Sequence, residues 1–295
     1  MYFLKVICIV ALILAVLYLL MIMPRILGRP SWKPFLGVLY AHRGLHDKSL
    51  NVPENSIAAF KKAIDKGYGI ECDVQLTRDN VPVVFHDFTL ARVARYAKGK
   101  IPSDAVQNSD GSYGVKGRVS DYTYDELMAF HLLDSDEKIP KFEDFLRLVD
   151  GRVPLIVELK IEFKDLSLCP IVDKLLSEYK GTYCIESFNP LGVFWYRKNR
   201  PKVLRGQLSD DFHKDSPEEF SGPIYFMLTF MLFNFLTKPD FIAFNHKYSD
   251  NPSRVLCRKL YRCLSAAWTI KSEEELKHAG KHFDIFIFDS FVPGH

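Results

Sequence analysis

The sequence predicts a (β/α)8 TIM barrel that follows one N-terminal transmembrane helix. Eight runs of five to seven residues are rich in β-branched or aromatic types, and amphipathic helical patterns separate most of them. Strands that alternate with helices favour a closed parallel barrel. An open doubly wound sheet is the alternative, but the chain has no glycine-rich dinucleotide turn. The predicted strands are residues 37–42, 69–75, 154–160, 182–187, 203–207, 240–245, 264–270 and 284–289.

Composition restricts the class of protein before any motif is considered. The chain has 295 residues, of which 48% are hydrophobic and 25% charged, as in ordinary globular proteins. Its formal net charge is only +3. Because nucleic-acid binding depends on dense positive charge, we expect no nucleic-acid partner.

An uncharged apolar run occupies residues 6–23, and we interpret residues 1–24 as a membrane anchor. A helix of this length just crosses a hydrocarbon core of roughly 30 Å. A cleaved signal peptide is the alternative, but no small-x-small cleavage site follows the run. Basic residues after the run slightly outnumber those before it, which places the remaining domain in the cytoplasm. Five cysteines outside the anchor fit free thiols in a reducing compartment.

The remaining segments complete the predicted architecture. Residues 25–36 contain two prolines and a glycine and are predicted to be a linker, and residues 37–295 are predicted to form the barrel. The clearest amphipathic helices between strands are residues 54–66, 141–149, 170–179 and 272–279.

One strand candidate does not fit the alternation. Residues 81–86 follow the second strand after about five residues, whereas a parallel crossover needs a dozen or more. We therefore predict a β-hairpin over residues 71–86 that brings His86 back beside Asp73 at the barrel mouth, which is the end of the barrel where the parallel strands finish.

Charged residues stand where the predicted strands end, which is the functional face of such barrels. Glu71 and Asp73 are two positions apart on one strand, so they share a face. Glu158 and Lys160 repeat this arrangement on another strand. Taken singly, each carboxylate is more often a surface or ion-paired residue. Three converging carboxylates repel one another, and a divalent cation such as Mg²⁺ or Ca²⁺ resolves the repulsion.

Two of the nine histidines are predicted to meet that cluster. His42 ends the first strand and His86 ends the hairpin, so together they suit acid–base chemistry near neutral pH. Arg43 follows His42 and presents a planar fork that matches phosphate oxygens. His246 follows a strand as well and is a weaker candidate.

A second apolar segment covers residues 222–236 and is too short to span a bilayer. It is either a buried barrel helix or a segment that dips into the lipid interface beside the mouth. The second interpretation favours substrates that carry an acyl chain.

These motifs resemble the glycerophosphodiester phosphodiesterase family. The resemblance covers about residues 38–292, and its most specific part lies before residue 88. The matching strings are His42-Arg43-Gly44, Pro53-Glu54-Asn55-Ser56, Glu71-Cys72-Asp73, Val83-Val84-Phe85-His86-Asp87, Glu158-Leu159-Lys160, Glu186-Ser187-Phe188, Trp268 and Phe283–Asp289. In the last strand, Ile285 and Phe288 stand where the family usually has small residues.

The resemblance implies a phosphodiesterase that cleaves glycerophosphodiesters to glycerol 3-phosphate and an alcohol. Together with the two apolar segments, it leads us to expect a membrane-anchored enzyme that cleaves glycerophosphodiesters or lysophospholipids. It implies His42 and His86 as the acid–base pair, with one divalent ion, Mg²⁺ or Ca²⁺, on the three carboxylates. Substrate and phosphate contacts are expected from Arg43, Lys160, Glu54, Asn55 and Trp268. The alternatives are a non-catalytic phosphate-headgroup binder at the membrane and related phospholipase D-like or C-like barrels.

Overall fold

A computed structural model describes residues 1–97, 101–215 and 222–294 of the chain. In this part of the chain, eight parallel strands close into a barrel, because each pairs with its neighbour and the last pairs with the first. The predicted barrel is confirmed, and all eight predicted strands occur within two residues of their expected bounds. The described strands are β1 (Leu39–His42), β2 (Gly69–Leu76), β3 (Pro82–Val84), β4 (Ala94–Arg95), β5 (Val106–Gln107), β6 (Tyr113–Gly114), β7 (His131–Leu132), β8 (Leu155–Leu159), β9 (Tyr183–Ser187), β10 (Arg205–Ser209), β11 (Phe241–Asn245), β12 (Leu264–Ile270) and β13 (Ile285–Phe288). Of these, β1, β2 and β8 to β13 form the barrel.

The described helices lie outside the barrel, and several of them bury an apolar face against its strands. They are α1 (Tyr2–Ile22), α2 (Ile57–Asp65), α3 (Tyr124–Leu127), α4 (Phe142–Val149), α5 (Leu168–Glu178), α6 (Pro190–Asn199), α7 (Phe212–Asp215), α8 (Pro223–Thr229), α9 (Asn234–Thr237), α10 (Pro252–Lys259) and α11 (Glu273–Ala279). Four of them correspond to the four predicted helices. The helix predicted over residues 54–66 begins only at Ile57, because the Ser56 side chain caps it by accepting from the Ala59 N–H.

The hairpin predicted near the second strand is also present. β3 pairs antiparallel with the end of β2, with Val74 opposite Val84. The pairing continues past β3, since the Phe85 N–H donates to the Asp73 carbonyl at 3.0 Å. The sequence did not predict the small antiparallel sheet that β4 to β7 form over their own apolar cluster. Strands of two residues are too short to show a periodic pattern.

Two apolar layers stabilise the barrel. The outer layer lies between strands and helices, and Cys72 contributes to it because it points away from its neighbours on β2. The inner layer fills the barrel and includes Phe35, which is 3% exposed and comes from the predicted linker. Trp32 also packs edge-on against Phe241 at a centroid distance of 5.7 Å. Residues 25–36 therefore close the end of the barrel opposite the active-site face.

The two apolar segments behave differently from each other. Of the described helices, α1 alone is long and apolar enough to cross a membrane, with 21 residues and a mean hydropathy of 2.9 over its best window. Residues 222–236 form two short helices instead of one, because Met231 adopts a left-handed backbone with φ of 53° between α8 and α9. Met231 is buried, whereas Ile224 and Phe226 of α8 are about half exposed.

Candidate active site

The turn after β1 places a basic side chain and a backbone donor at the mouth. Arg43 and Gly44 both have positive φ, 56° and 78°. A Cβ at position 44 would lie 2.9 Å from the Ala59 carbonyl carbon, so the close approach of α2 requires glycine here. The turn directs the Arg43 N–H to Glu71 Oε2 at 3.0 Å.

The three predicted carboxylates converge at this mouth. Asp73 on β2 stands opposite Glu158 on β8 in the strand register, and Glu71 precedes Asp73 on the same face. Their exposed fractions are only 2%, 1% and 6% for Glu71, Asp73 and Glu158. One oxygen from each lies within 4.8 Å of the others. Converging buried oxygens of this kind are the donor set that Mg²⁺ and Ca²⁺ prefer.

Lys160 and Arg43 flank the cluster and partly balance its charge. Lys160 Nζ lies 2.9 Å from Glu158 Oε1 and 3.6 Å from Asp73 Oδ1. Arg43 Nε lies 3.5 Å from Asp73 Oδ2. Burial alone would lower the pKa of Lys160, but Glu158 and Asp73 raise it above its usual range. Lys160 is therefore fully charged near neutral pH.

The two cations do not affect the pKa values of the three carboxylates equally. Burial raises the pKa of Glu71 well above its usual range, and Asp73, Glu158 and Glu186 raise it further. Burial also raises the pKa of Glu158, although Lys160 opposes the change. The pKa of Asp73 is lowered in spite of burial, because His86, Lys160 and Arg43 favour its anion.

These residues fit a divalent cation. Asp73 Oδ1 is buried and accepts no hydrogen bond from the described residues, although Lys160 lies nearby. Burial is the largest cause of the raised pKa of Glu71, and repulsion from the neighbouring carboxylates adds to it. A bound cation would lower that pKa and supply the missing partner.

His42 is held by a carboxylate that directly follows the last strand. Its Nδ1 lies 3.1 Å from Asp289 Oδ2, and His46 Nε2 lies 2.9 Å from the other oxygen of Asp289. His42 Nε2 faces the cluster, 4.0 Å from Glu71 Oε2. Burial lowers the pKa of His42 to about 4, with Arg43 acting in the same direction and Asp289 opposing it. His42 is therefore neutral near pH 7, as a proton acceptor must be.

His86 has an equivalent arrangement. Its Nδ1 lies 2.6 Å from Asp87 Oδ1. The Gln75 amide donates to the carbonyls of Phe85, His86 and Asp87 at 2.8, 3.1 and 2.7 Å, so β2 holds the loop that carries this histidine. The Phe85 N–H, one residue before His86, donates to the Asp73 carbonyl at 3.0 Å, so the loop of His86 lies beside Asp73. His86 lowers the pKa of Asp73 and opposes the rise in the pKa of Glu158.

The remaining predicted substrate contacts lie in the same region. Asn55 donates to Asp73 Oδ2 at 2.9 Å and orients that carboxylate. Trp268 stands at the mouth end of β12, edge-on to Phe188 at 5.7 Å. The weaker candidate, His246, is 6% exposed and lies 3.5 Å from Glu275.

Glu54 is part of an ion-pair network. It accepts from Arg43 Nη1 at 2.8 Å and from two nitrogens of Arg92 at 2.8 and 2.6 Å. Arg92 also donates to Asp87 Oδ2 at 2.6 Å, so the network connects the two histidine loops. Burial alone would raise the pKa of Glu54, but Arg92 and Arg43 lower it to about 2.

Glu54→Gln is expected to destabilise the fold in a pH-dependent way. Because the folded pKa lies below the unfolded value, the carboxylate contributes stability above pH 4.5, and the contribution is lost as the pH falls towards 2. The free energy of unfolding should drop by about 3 kcal/mol at neutral pH. Urea unfolding of both proteins at several pH values measures the difference. A difference that does not shrink in acid would contradict the electrostatic role.

The sequence-based prediction assigned no role to five residues at the site: His46, Asp87, Arg92, Glu186 and Asp289. Asp87, Glu186 and Asp289 stand within the strings that carry the family resemblance, so a signal existed for these three; in addition, Asp289 directly follows the last strand and Glu186 lies on β9. Glu186 is 1% exposed, and burial raises its pKa well above the usual range, as do Glu158 and Asp73.

Comparison with known proteins gives a consistent result. The model of the glycerophosphoryl diester phosphodiesterase family matches residues 42–282. A glycerophosphodiester phosphodiesterase of Caldanaerobacter subterraneus subsp. tengcongensis is 31% identical over 183 residues, or 58% of this chain. One of Bacillus altitudinis is 33% identical over 186 residues, or 59% of this chain. Both matches cover 66% of the relative, just under two thirds of its length.

Solved structures support the same architecture. A putative glycerophosphoryl diester phosphodiesterase from Silicibacter pomeroyi superposes with a TM-score of 0.65 at 18% identity, covering 88% of this chain and 91% of that one. A phosphodiesterase from Oleispira antarctica, solved with the product sn-glycerol-3-phosphate, gives a TM-score of 0.64 at 20% identity, covering 86% and 93%. At these identities the likeness establishes the fold.

Proposed function

Since this chain belongs to the glycerophosphoryl diester phosphodiesterase family, we propose that it is a metal-dependent phosphoric diester hydrolase that releases glycerol 3-phosphate, or an acylated form of it, and an alcohol. One observation carries the proposal. Two histidines, each paired through Nδ1 with its own carboxylate, meet a three-carboxylate cluster that two cations flank.

The histidines perform the proton transfers. In the first step, His42 Nε2 takes the proton of the substrate 2-hydroxyl, whose oxygen bonds to phosphorus. The bond from phosphorus to the alcohol oxygen breaks, and His86 gives that oxygen a proton. The product is a cyclic phosphate. The lowered pKa of His42 suits the base role, because the imidazole is neutral at the start of the step.

The second step uses the same residues in reverse. His86, now neutral, takes a proton from water, whose oxygen bonds to phosphorus and opens the ring. His42, now protonated, returns its proton to the 2-oxygen, so both histidines regain their starting forms. Arg43 and Lys160 stabilise negative charge on the phosphate throughout.

Glu71, Asp73 and Glu158 would hold the metal ion. A divalent ion bound there would stabilise charge on a phosphate oxygen and neutralise the carboxylates. Asn55 orients Asp73, and Glu54 holds Arg43. We therefore propose that Asn55 positions a metal ligand and Glu54 a phosphate-binding side chain, and that neither contacts the phosphate itself. The oxygen chemistry of the three carboxylates suits Mg²⁺ or Ca²⁺.

Product analysis tests the proposal directly. Detergent-purified protein is incubated with glycerophosphocholine or lysophosphatidylcholine and with Mg²⁺, Ca²⁺ or chelator, and phosphorus NMR follows the products. We expect glycerol 3-phosphate or its acylated form with metal and none with chelator. Release of phosphocholine would contradict the proposed bond, and no turnover with any metal would favour the non-catalytic binder, for which the two histidine–carboxylate pairs have no use.

Asp289→Asn tests the support of His42. The substitution keeps the size of the side chain but removes the charge that fixes the tautomer and stabilises the protonated ring. We expect kcat to fall by about 10²-fold or more, with little change in KM. Ser290→Ala is the matched control, because Ser290 donates to the same carboxylate from an exposed position. Equal activity in the wild type and Asp289→Asn would remove Asp289 from the mechanism.

The membrane is the proposed location of the enzyme. The apolar length of α1 and the half-exposed apolar residues of α8 support an anchored protein with lysophospholipids among its substrates. The charge difference across α1 favours a cytoplasmic barrel.

A further inference from the structure

The end of α1 is part of the barrel's outer layer. Ile22 is fully buried, and its carbonyl accepts from Asn234 Nδ2 at 3.0 Å. The Leu19 carbonyl accepts from the Tyr261 hydroxyl at 2.9 Å. These contacts hold the C-terminal end of α1 against the barrel.

The chain after α1 is held as firmly. The Arg25 N–H donates to the Pro239 carbonyl at 3.0 Å, and its guanidinium lies 3.5 Å from buried Asp240. Arg29 donates to the Tyr261 carbonyl at 3.1 Å. Pro239 and Asp240 precede β11, and Tyr261 precedes β12, so the segment after α1 is held at the end of the barrel away from the mouth.

The direction of α1 follows from its contacts with α10. The Tyr18 hydroxyl lies 2.6 Å from Ser253 Oγ, and the Ile22 carbonyl accepts from Cys257 Sγ at 3.3 Å. Four residues along one helix match four along the other, so the two helices run in the same sense. Because α10 descends from the mouth end of β11, the exposed residues 2–17 of α1 extend beyond the mouth side of the barrel, by about 24 Å at 1.5 Å per residue.

α8 lies on the same side of the mouth. Its Leu228 carbonyl accepts from Ser209 at the end of β10, at 2.7 Å, and its Thr229 carbonyl accepts from Asn251, the cap of α10, at 3.2 Å. Ile224 and Phe226 are 49% and 51% exposed. α8 therefore places apolar side chains beside the rim from which α1 projects.

An aromatic track connects α8 with the site. Trp268 contacts Phe188 at a centroid distance of 5.7 Å, Phe188 contacts Phe212 at 6.0 Å, and Phe212 contacts Tyr225 of α8 at 5.6 Å. The track consists of these four rings. It provides an apolar path from the mouth to the surface of α8.

We propose that α1 holds the α8 side of the mouth against a lipid bilayer, and that the aromatic track receives the acyl chain of a lysophospholipid taken from it. This rests on the proposed function, since it specifies the source of the substrate for the same site. The projecting length of α1 approaches a hydrocarbon core of roughly 30 Å, which puts the bilayer surface level with the rim. Lipid therefore covers the exposed apolar side chains of α8.

Fluorescence quenching tests the orientation without any turnover. The six cysteines comprise exposed Cys8 and five buried ones, so a Cys8→Ser background leaves no exposed thiol. Ile224→Cys and Leu36→Cys are labelled with an environment-sensitive dye in full-length protein, reconstituted into nanodiscs of phosphatidylcholine and phosphatidylglycerol. Leu36 is the matched control, because it is 43% exposed and precedes β1 at the opposite end of the barrel.

Spin-labelled lipid should quench the dye at position 224 and leave the dye at position 36 unchanged. Equal quenching at both positions, or quenching only at position 36, would overturn the orientation. Failure of both dyes to respond, with cross-linking between copies at position 224, would show that a second chain covers this surface and would also overturn it. An inactive protein leaves this readout intact, so the orientation and the proposed function fail separately.

A kinetic experiment tests the route. Ile224→Asp and Phe226→Asp should each lower kcat/KM on lysophosphatidylcholine in vesicles by about tenfold, the effect of losing one large apolar contact with lipid. Turnover of soluble glycerophosphocholine should not change, which also shows that the variants fold. Equal losses on both substrates, or none on either, would contradict the lipid entrance.

Discussion

Replacing His42 or His86 with alanine is expected to reduce kcat by at least about 10²-fold, the usual effect of losing a positioned acid or base. Each ring is fixed by its own carboxylate, and water cannot replace it at the same geometry. The double variant should lose little more than either single variant, because both act in one step. His213→Ala is the control, since this histidine is exposed on α7 and near the same rim. Near-normal turnover in both single variants would reject the assignment.

The leaving group distinguishes the two histidines. A diester with an aryl leaving group of low pKa needs no proton from the enzyme when its bond to phosphorus breaks. His86→Ala should therefore recover much of its lost rate on such a substrate, whereas His42→Ala should not. Recovery in the His42 variant instead would exchange the roles of base and acid.

Asp73→Asn is expected to weaken metal binding by at least about 10²-fold, because even indirect partners of a metal contribute 10- to 100-fold. Asp73 is the carboxylate with the most cationic neighbours and the lowered pKa, so it is ionised in the metal-free protein. Calorimetric titration with Mg²⁺ and Ca²⁺ measures affinity without substrate. Saturating metal should stabilise the wild type, by about 2.7 kcal/mol at a hundred times Kd, and not the variant.

Glu186→Gln is the matched control for this experiment. Glu186 stands beside Glu158 in the strand register but lies outside the three-carboxylate cluster. Burial raises the pKa of Glu186 well above its usual range, and glutamine keeps the size of the side chain while removing its charge. We expect metal binding to survive in Glu186→Gln. Equal weakening in both variants would show that the site has a fourth ligand or lies elsewhere.

Much of the fold and of the candidate site was predictable from local patterns. Short apolar runs of regular spacing indicated the barrel strands, and the two-residue period placed Glu71 and Asp73 on one face while Cys72 turned away. The short spacing before residues 81–86 indicated a hairpin. Apolar length indicated α1. Each of these properties depends on neighbours in the chain, which a sequence displays directly.

Other features depend on pairs distant in sequence. Asp289 meets His42 across 247 positions, and Arg92 meets Glu54 across 38. The sequence does not indicate the break at Met231 between α8 and α9, because the residues on either side of it, Phe230 and Leu232, are apolar and neither is glycine or proline. The small sheet of β4 to β7 also escaped prediction, since its stability comes from its own apolar cluster and not from strand length.

Local sequence patterns were sufficient to establish the barrel, the ends of its strands and hence the residues that gather at the mouth, because strand direction and side-chain alternation follow from local geometry. The carboxylate that holds each histidine and the position of α1 on the barrel required the folded structure. Those outcomes depend on packing between surfaces brought together by folding: Ile22 is buried by residues more than 200 positions away. The same packing sets the direction of α1, which extends beyond the mouth, and no local sequence pattern predicts that direction.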